Sequence, residues 1–137
     1  MMTGEQEKID EILHHLTVRE KVNVLTDHAP IELRQAAGQS HISLKTEIYR
    51  GDNYIPKSVR DALKNRQLCP FSHLATFFTI EENVFTITLN HIEEVQPVDS
   101  SHFEEVLHEF HDVAEKWRLV LNERDRNDLI YIHSRTR

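Results

Sequence analysis

The sequence contains one cysteine and three glycines, and each shortage argues against a class of protein. Cys69 cannot form a disulfide within the chain, which favours a reducing compartment, and we expect it to be a small buried side chain. The glycines, at positions 4, 38 and 51, are too widely spaced to form a phosphate-binding loop. The nucleophile motif Gly-x-Ser-x-Gly is also absent. These shortages predict a protein that is not an enzyme.

Long apolar segments are missing as well. No apolar run approaches the roughly 18 residues that a membrane span requires, and the acidic, polar N-terminus differs from the basic and then apolar start of a signal peptide. We therefore expect a cytoplasmic protein without a membrane span. A chain of 137 residues, of which 39% are hydrophobic and 28% charged, fits one globular domain over residues 1–137.

Lysine and arginine are absent from residues 67–115, which carry ten carboxylates. The whole chain has a net charge of −7 with its ten histidines neutral, so the charge depends strongly on pH. The acidic segment is either a solvated surface that keeps the domain soluble or a dedicated binding patch, and the sequence leaves both open. In either case it repels phosphate backbones, which argues against nucleic acid as a partner.

The clearest element is a helix over residues 100–121. Its apolar residues recur every three or four positions and share one helical face, namely Phe103, Val106, Leu107, Phe110, Val113, Ala114, Trp117, Val120 and Leu121. Ser101 and Glu104 have the spacing of a capping box. A helix of about 22 residues is roughly 33 Å long and needs a broad apolar partner.

The end of the chain is densely charged. Residues 122–128 are predicted to end this helix and to leave residues 122–137 as a loosely ordered charged tail. Leu129, Ile130 and Ile132 could dock there as a last strand or a helical turn.

Alternation and turn residues organise the first half of the chain. A first amphipathic helix is predicted over residues 4–17 and a short strand over residues 21–26. Alternating apolar residues over residues 31–49 predict two strands of a hairpin, interrupted at Gly38. Residues 51–53 then form a turn.

The second half begins with Pro56, whose fixed φ suits the start of a short helix. A second hairpin is predicted over residues 75–89, with Asn83 in the left-handed conformation of its turn. We expect three aromatic residues of this hairpin, Phe77, Phe78 and Phe85, in the core. Strands grouped in hairpins predict an α+β fold, in which N-terminal, short central and long C-terminal helices cover an antiparallel sheet of about five strands.

The ten histidines raise the question of a metal site. Glu105 and His108 have the Glu-x-x-His spacing of di-iron bundles, with His111 and Asp112 beside them, but such bundles need a second copy of this motif, which the sequence lacks. No cysteine pair and no His-Glu-x-x-His motif offers a zinc site. We therefore expect no metal and no cofactor, and a histidine-based metal protein is the least favoured interpretation.

The order of the elements resembles that of the class I type III secretion chaperones, the Tir-chaperone-like family. The resemblance covers roughly residues 5–121 and is strongest in Tyr54–Leu63, in Phe71–Leu89 around the Ile80-Glu81-Glu82-Asn83 turn, and in Phe103–Trp117. Members of this family are dimers that hold the N-terminal segment of a secreted effector in an extended form without hydrolysing ATP. The resemblance implies a bacterial cytoplasmic chaperone whose partners are a secreted effector and a second chain, either a copy of itself or a related chaperone.

The same resemblance implies two contact surfaces. Client binding is expected around the first helix at Ile9, Leu13 and Leu16, and the dimer contact is expected on the short central helix at Val59, Ala62 and Leu63. An apolar surface of this kind suits a disordered client, which can wrap a large area. The alternative function is a regulatory module of the same fold that binds a transcription or signalling protein through the acidic segment.

Overall fold

The computed structural model describes residues 11–14, 16, 21–26, 28–35, 41–65, 74–94 and 100–135. Helical residues 11–14 and 16 are called α1. The other elements follow in the order β1 (Lys21–Val24), β2 (Ile31–Arg34), β3 (His41–Arg50), α2 (Lys57–Ala62), β4 (Phe77–Glu81), β5 (Thr86–Glu94) and α3 (Ser100–Arg135). The predictions made for Ile9, Gly38 and Cys69 lie outside the described residues.

The five strands form one sheet in the spatial order β1-β2-β3-β5-β4. Each neighbouring pair is antiparallel; for example, Leu33 of β2 is opposite Leu44 of β3, and Thr46 of β3 is opposite Leu89 of β5. The α+β class and the five-stranded antiparallel sheet predicted from the hairpin pattern are therefore confirmed. β1 and β4 are the two edges of the sheet.

One face of the sheet forms the core. Because successive side chains of a strand point to opposite faces, β2, β3 and β5 each contribute every second residue to this inner face. The buried pairs are Ile31 and Leu33, Ile42 and Leu44, and Ile87 and Leu89. Between them lie Glu32, Ser43 and Thr88, which belong to the outer face and are partly exposed.

The apolar stripe of α3 packs against this inner face. Of the nine apolar residues predicted to form the stripe, eight are buried and Val120 packs against them. Trp117 meets the ring of Phe78 edge-on, with 4.9 Å between the ring centroids. The prediction for residues 100–121 is confirmed, and the sheet is the broad apolar partner that the stripe requires.

α3 does not end at residues 122–128 but continues as a helix to Arg135, so that Leu129, Ile130 and Ile132 are helical. The segment contains no glycine or proline that would interrupt a helix. A tertiary contact also holds it, since Ser58 of α2 donates a hydrogen bond to the Arg124 carbonyl. No helix among the described residues is long and apolar enough to cross a membrane.

The turn between β4 and β5 differs from the prediction in one respect. The residue with a left-handed conformation is Phe85, with a φ of 56°, and not Asn83. The Val84 amide donates to the Glu81 carbonyl, which closes a turn over residues 81–84, and the next residue must then turn back toward the strand. The Phe85 carbonyl accepts a hydrogen bond of 2.9 Å from Gly51, where a Cβ would collide with the Tyr54 carbonyl oxygen.

A bulge in β3 allows a buried arginine to connect the sheet to α3. The register with β5 shifts between Glu47 and Tyr49, so that Ile48 and Tyr49 are both buried. Arg118 of α3 donates to the Glu47 carbonyl from Nε at 3.1 Å and from Nη2 at 2.9 Å, and to Thr46 Oγ1 at 2.9 Å. Its Nη1 lies 2.7 Å from a Glu115 carboxylate oxygen. Arg118 therefore fixes where α3 lies along β3.

Replacing Arg118 with methionine should lower the free energy of unfolding by about 2–3 kcal/mol, because it removes charge-assisted hydrogen bonds and leaves buried acceptors without a donor. Chemical denaturation monitored by Trp117 fluorescence would measure this. Arg126→Met on the exposed side of the same helix is the matched control and should change stability by less than about 0.5 kcal/mol. Equal losses in the two variants would contradict the anchoring role of Arg118.

Candidate protein-binding surfaces

The residues assigned to client binding lie on α1, which packs on the core. Leu16 is 1% exposed and is therefore a core residue in this chain, whereas Leu13 is partly buried and keeps accessible surface. Glu11 and His14 on the same segment are exposed. Of the three predicted residues, Leu13 is the described one that can touch a client directly, and its role in binding stays a prediction.

The residues assigned to the dimer contact lie on and just after α2. Val59 and Ala62 are buried, at 0% and 4% exposure, and belong to the core. Leu63 follows the last residue of α2 and is partly exposed, and Tyr54 before the helix is 49% exposed. A dimer contact here would therefore use Leu63 and Tyr54, and this remains a prediction.

The outer face of the sheet is charged along β1, β2 and β3. Glu32 lies between Lys21 at 3.0 Å, Arg34 at 3.3 Å and Lys45 at 3.9 Å. Burial alone would raise the pKa of Glu32, but hydrogen bonds and charges from Lys21 and Arg34 hold it below its usual value. This part of the surface satisfies its own charges, so it is a poor candidate for an apolar contact.

The same outer face is more apolar along β5 and β4. Phe77 is 41% exposed and Ile92 is 53% exposed. Since Phe77 pairs with Asn90, Ile92 is its diagonal neighbour on the same face. The Asn90 amide donates to Thr79 Oγ1 at 3.1 Å and holds β4 onto β5. Phe78 and Phe85 pack on the core as predicted, but Phe77 faces outward and was wrongly assigned to the core.

A cavity of about 250 Å³ lies between the β1–β2 connection and α3. It is lined by four apolar residues, one threonine and two histidines, namely Val24, Leu25, Ile31, Leu107, Thr26, His108 and His111. Leu25 is 86% exposed, which is unusual for a large apolar side chain. The sequence pattern gave no sign of this cavity, because it forms where the edge of the sheet passes beneath a helix that is distant in the chain.

A second histidine cluster joins the end of β5 to the start of α3. Glu93 lies between His91, whose Nε2 is 2.7 Å from one carboxylate oxygen, and His102, whose Nε2 is 3.1 Å from the other. His91 is itself buried, and its Nδ1 lies 3.4 Å from the Ala75 carbonyl oxygen. Burial alone would raise the pKa of Glu93, but the hydrogen bonds and charges of the two histidines hold it below its usual value of 4.5.

The lowered pKa of Glu93 predicts a loss of stability in acid. Its ionised form is favoured in the folded chain, so the stabilisation is present above about pH 4.5, the ordinary value, and is lost as the pH falls through the folded pKa. Denaturant unfolding measured across this window should show a smaller acid loss in Glu93→Gln than in the natural protein. Glu94→Gln, at a carboxylate that is 77% exposed, is the control and should keep the natural acid loss. Identical pH dependence in the natural protein and Glu93→Gln would contradict this prediction.

The histidines considered for a metal site do not converge. His108 is 63% exposed and lies 3.8 Å from Glu104, and His111 lines the cavity. No group of three or more potential metal ligands occurs among the residues that the structure describes. What the sequence could not show is that His91, His102 and Glu93 meet, because they come from two different elements.

Comparison with known proteins gives a fold but no close relative. No family model and no curated protein matches the chain. Among solved structures, the ExsC–ExsE complex aligns with a TM-score of 0.61 at 19% identity, over 85% of this chain and 95% of that chain. The HopA1–SchA chaperone–effector complex aligns with a TM-score of 0.55 at 10% identity, over 82% of this chain and 89% of that chain. The ExoU–SpcU complex from the type III secretion system of Pseudomonas aeruginosa aligns with a TM-score of 0.53 at 14% identity, over 77% of this chain and 82% of that chain.

The chain has the fold of the type III secretion chaperones. The likeness covers most of both chains, so the fold is shared as a whole and not through a local motif. Identities of 10–19% show the architecture and leave the function to the surfaces that this chain presents.

Proposed function

We propose that this protein is a type III secretion chaperone of the bacterial cytoplasm, which binds the N-terminal segment of a secreted effector and keeps it competent for secretion. The observation that supports this most directly is the likeness, over 82% of this chain, to the structure of the HopA1–SchA chaperone–effector complex. The exposed apolar residues of this chain supply the contact area that such a partner needs.

The physical task is to hold a chain that would otherwise fold or aggregate. A disordered client segment can cover separate apolar positions on a rigid surface, at the expense of the entropy lost when it becomes ordered. Binding of this kind uses burial of apolar area and backbone hydrogen bonds and requires no reaction at either partner. α1 offers Leu13, while the edge strands β1 and β4 offer backbone groups for an added strand.

The proposal includes a dimer of two copies or of this chain with a related chaperone. Tyr54 and Leu63 at the two ends of α2 are accessible, and Phe77 and Ile92 are exposed on the outer face of β4 and β5. Exposed apolar side chains such as these supply candidate contacts for a dimer.

Client capture provides the first test of the function. The protein is co-expressed with the products of neighbouring genes, and the retained N-terminal segment is identified after purification. Leu13→Ser should weaken binding of that segment about tenfold, because it removes apolar area from the contact. Glu11→Ser, an exposed change on the same helix, is the control. Failure of the natural protein to retain any secreted protein would argue against the chaperone function and leave the regulatory alternative.

The oligomeric state provides the second test. Light scattering of the natural protein alone should give about twice the chain mass of 16.2 kDa if the partner is a second copy. Leu63→Ser should shift the protein toward the monomer, since it removes an accessible apolar side chain beside α2, whereas Lys64→Ser at the next, exposed position should not. A dimer that is unaffected by Leu63→Ser would place the contact elsewhere, with the β4 edge as the next candidate.

A further inference from the structure

The cavity between β1 and α3 has the size of one side chain and not of a cofactor. Its volume of about 250 Å³ lies below the roughly 300–1,000 Å³ of sites that hold drug-sized ligands. Its walls are mainly apolar, with Val24 and Ile31 on the sheet side and Leu107 on the helix side. An aliphatic side chain therefore fits its size and its chemistry.

One polar atom in the cavity wall lacks a partner. Nδ1 of His111 is buried and has no hydrogen-bond partner within the described part of the chain. A buried ring nitrogen without a partner costs free energy, so the chain's own groups do not fully satisfy this side of the cavity. Because β1 is an edge strand, an extended segment can lie beside it next to the cavity.

The charge around the cavity favours a basic partner. One stripe of α3 carries Glu105, His108 and Asp112, which follow each other at spacings of three and four. His108 of this stripe lines the cavity, so both carboxylates lie on the helix face next to it. Glu105 and Asp112 are both exposed, and residues 100–115 of α3 contain no lysine or arginine. Glu115, by contrast, is paired with Arg118 and with His28, each at 2.7 Å. The carboxylates left for a partner are thus those of the outer stripe.

We propose that this cavity receives an aliphatic side chain of the extended client segment and that a lysine or arginine beside it in the client sequence faces Glu105 and Asp112. The inference rests on the proposed chaperone function, because it needs an unfolded peptide segment as occupant. It adds a preference for basic–aliphatic sequences that the shared fold does not specify.

The probe is a short synthetic peptide that carries Lys-Leu-Lys in a Gly- and Ser-containing chain, titrated into isotope-labelled natural protein and followed by NMR. On addition of the peptide, the chemical shifts of the backbone amides of Leu25, Leu107 and His111 are expected to change. Replacing the peptide leucine with serine should weaken binding about tenfold or more. Replacing its lysines with glutamates should also weaken binding. The difference in affinity between the lysine and the glutamate peptide should shrink as salt is added.

Protein variants provide the matching half of the experiment. Leu25→Ser changes an exposed residue at the cavity and should weaken peptide binding roughly fivefold without unfolding the protein. Glu105→Gln with Asp112→Asn should remove the preference for lysine over glutamate. Leu119→Ser, at a position of α3 that is 70% exposed and does not line the cavity, is the control and should bind as the natural protein does.

Two results would overturn the inference: equal shifts with the leucine and serine peptides, or shifts that lie away from the cavity. Retention of the natural client by Leu25→Ser is measured in parallel. If the natural protein retains its client and Leu25→Ser does so equally well, the inference fails and the chaperone function stands. If the natural protein retains no client, the chaperone function itself fails, and the peptide titration still reports separately on the cavity.

Discussion

The contact between the apolar stripe of α3 and the inner face of the sheet is the interaction on which the other elements depend. Phe110, at 0% exposure, lies in this contact, and burial of one such side chain contributes about 1.5–3 kcal/mol. α2 has six residues, too few for a helix that is stable alone. It is held because Val59 and Ala62 enter the core that α3 and the sheet have formed, as Leu16 does from α1. The short helices therefore owe their positions to the long one.

Apolar packing does not by itself determine how far α3 is shifted along the sheet, since the hydrophobic effect has no direction. Polar contacts supply that information. The β3 bulge places Glu47 and Arg50 on the same face, where their side chains pair at 2.8 Å, and it also presents the Glu47 carbonyl to Arg118. Tyr49, next to the bulge, lies near Asp125, which is seven residues beyond Arg118 on the helix, and burial together with this carboxylate raises the pKa of Tyr49. Both links start from one irregular stretch of β3, which therefore fixes the position of the helix.

Regular patterns made the fold predictable from the sequence, and irregular or long-range features did not. Period-two alternation located the strands, and three-to-four spacing located the buried face of α3. High charge does not end the helix at residues 122–128, because no helix-breaking residue is present there and Ser58 donates a hydrogen bond to the Arg124 carbonyl. Phe85 was missed as the left-handed residue because its conformation follows from turn length, whereas propensity favours asparagine. Leu16, Val59 and Ala62, whose contact roles are implied by the family resemblance, are buried in the core, and an apolar pattern alone cannot distinguish such positions from accessible ones. The cavity forms between residues 24–31 and residues 107–111, which are distant in the sequence, so no local pattern could show it.

The structure also separates the carboxylates that the sequence could describe only as one acidic segment. Glu82 is held by both terminal nitrogens of Arg60, at 2.7 and 2.8 Å, and Glu93 is held by two histidines. These groups have structural partners, so the bond between Glu82 and Arg60 joins the β4–β5 turn to α2.

Glu105 and Asp112 are exposed on the one helix that also forms the cavity wall. Leu107 is buried in the core and also lines the cavity, so packing of the core positions that part of the cavity wall. Of the described carboxylates, Glu82 and Glu93 thus contribute to the fold through their partners, whereas Glu105 and Asp112 are the ones to which the proposed client contact assigns a role in binding.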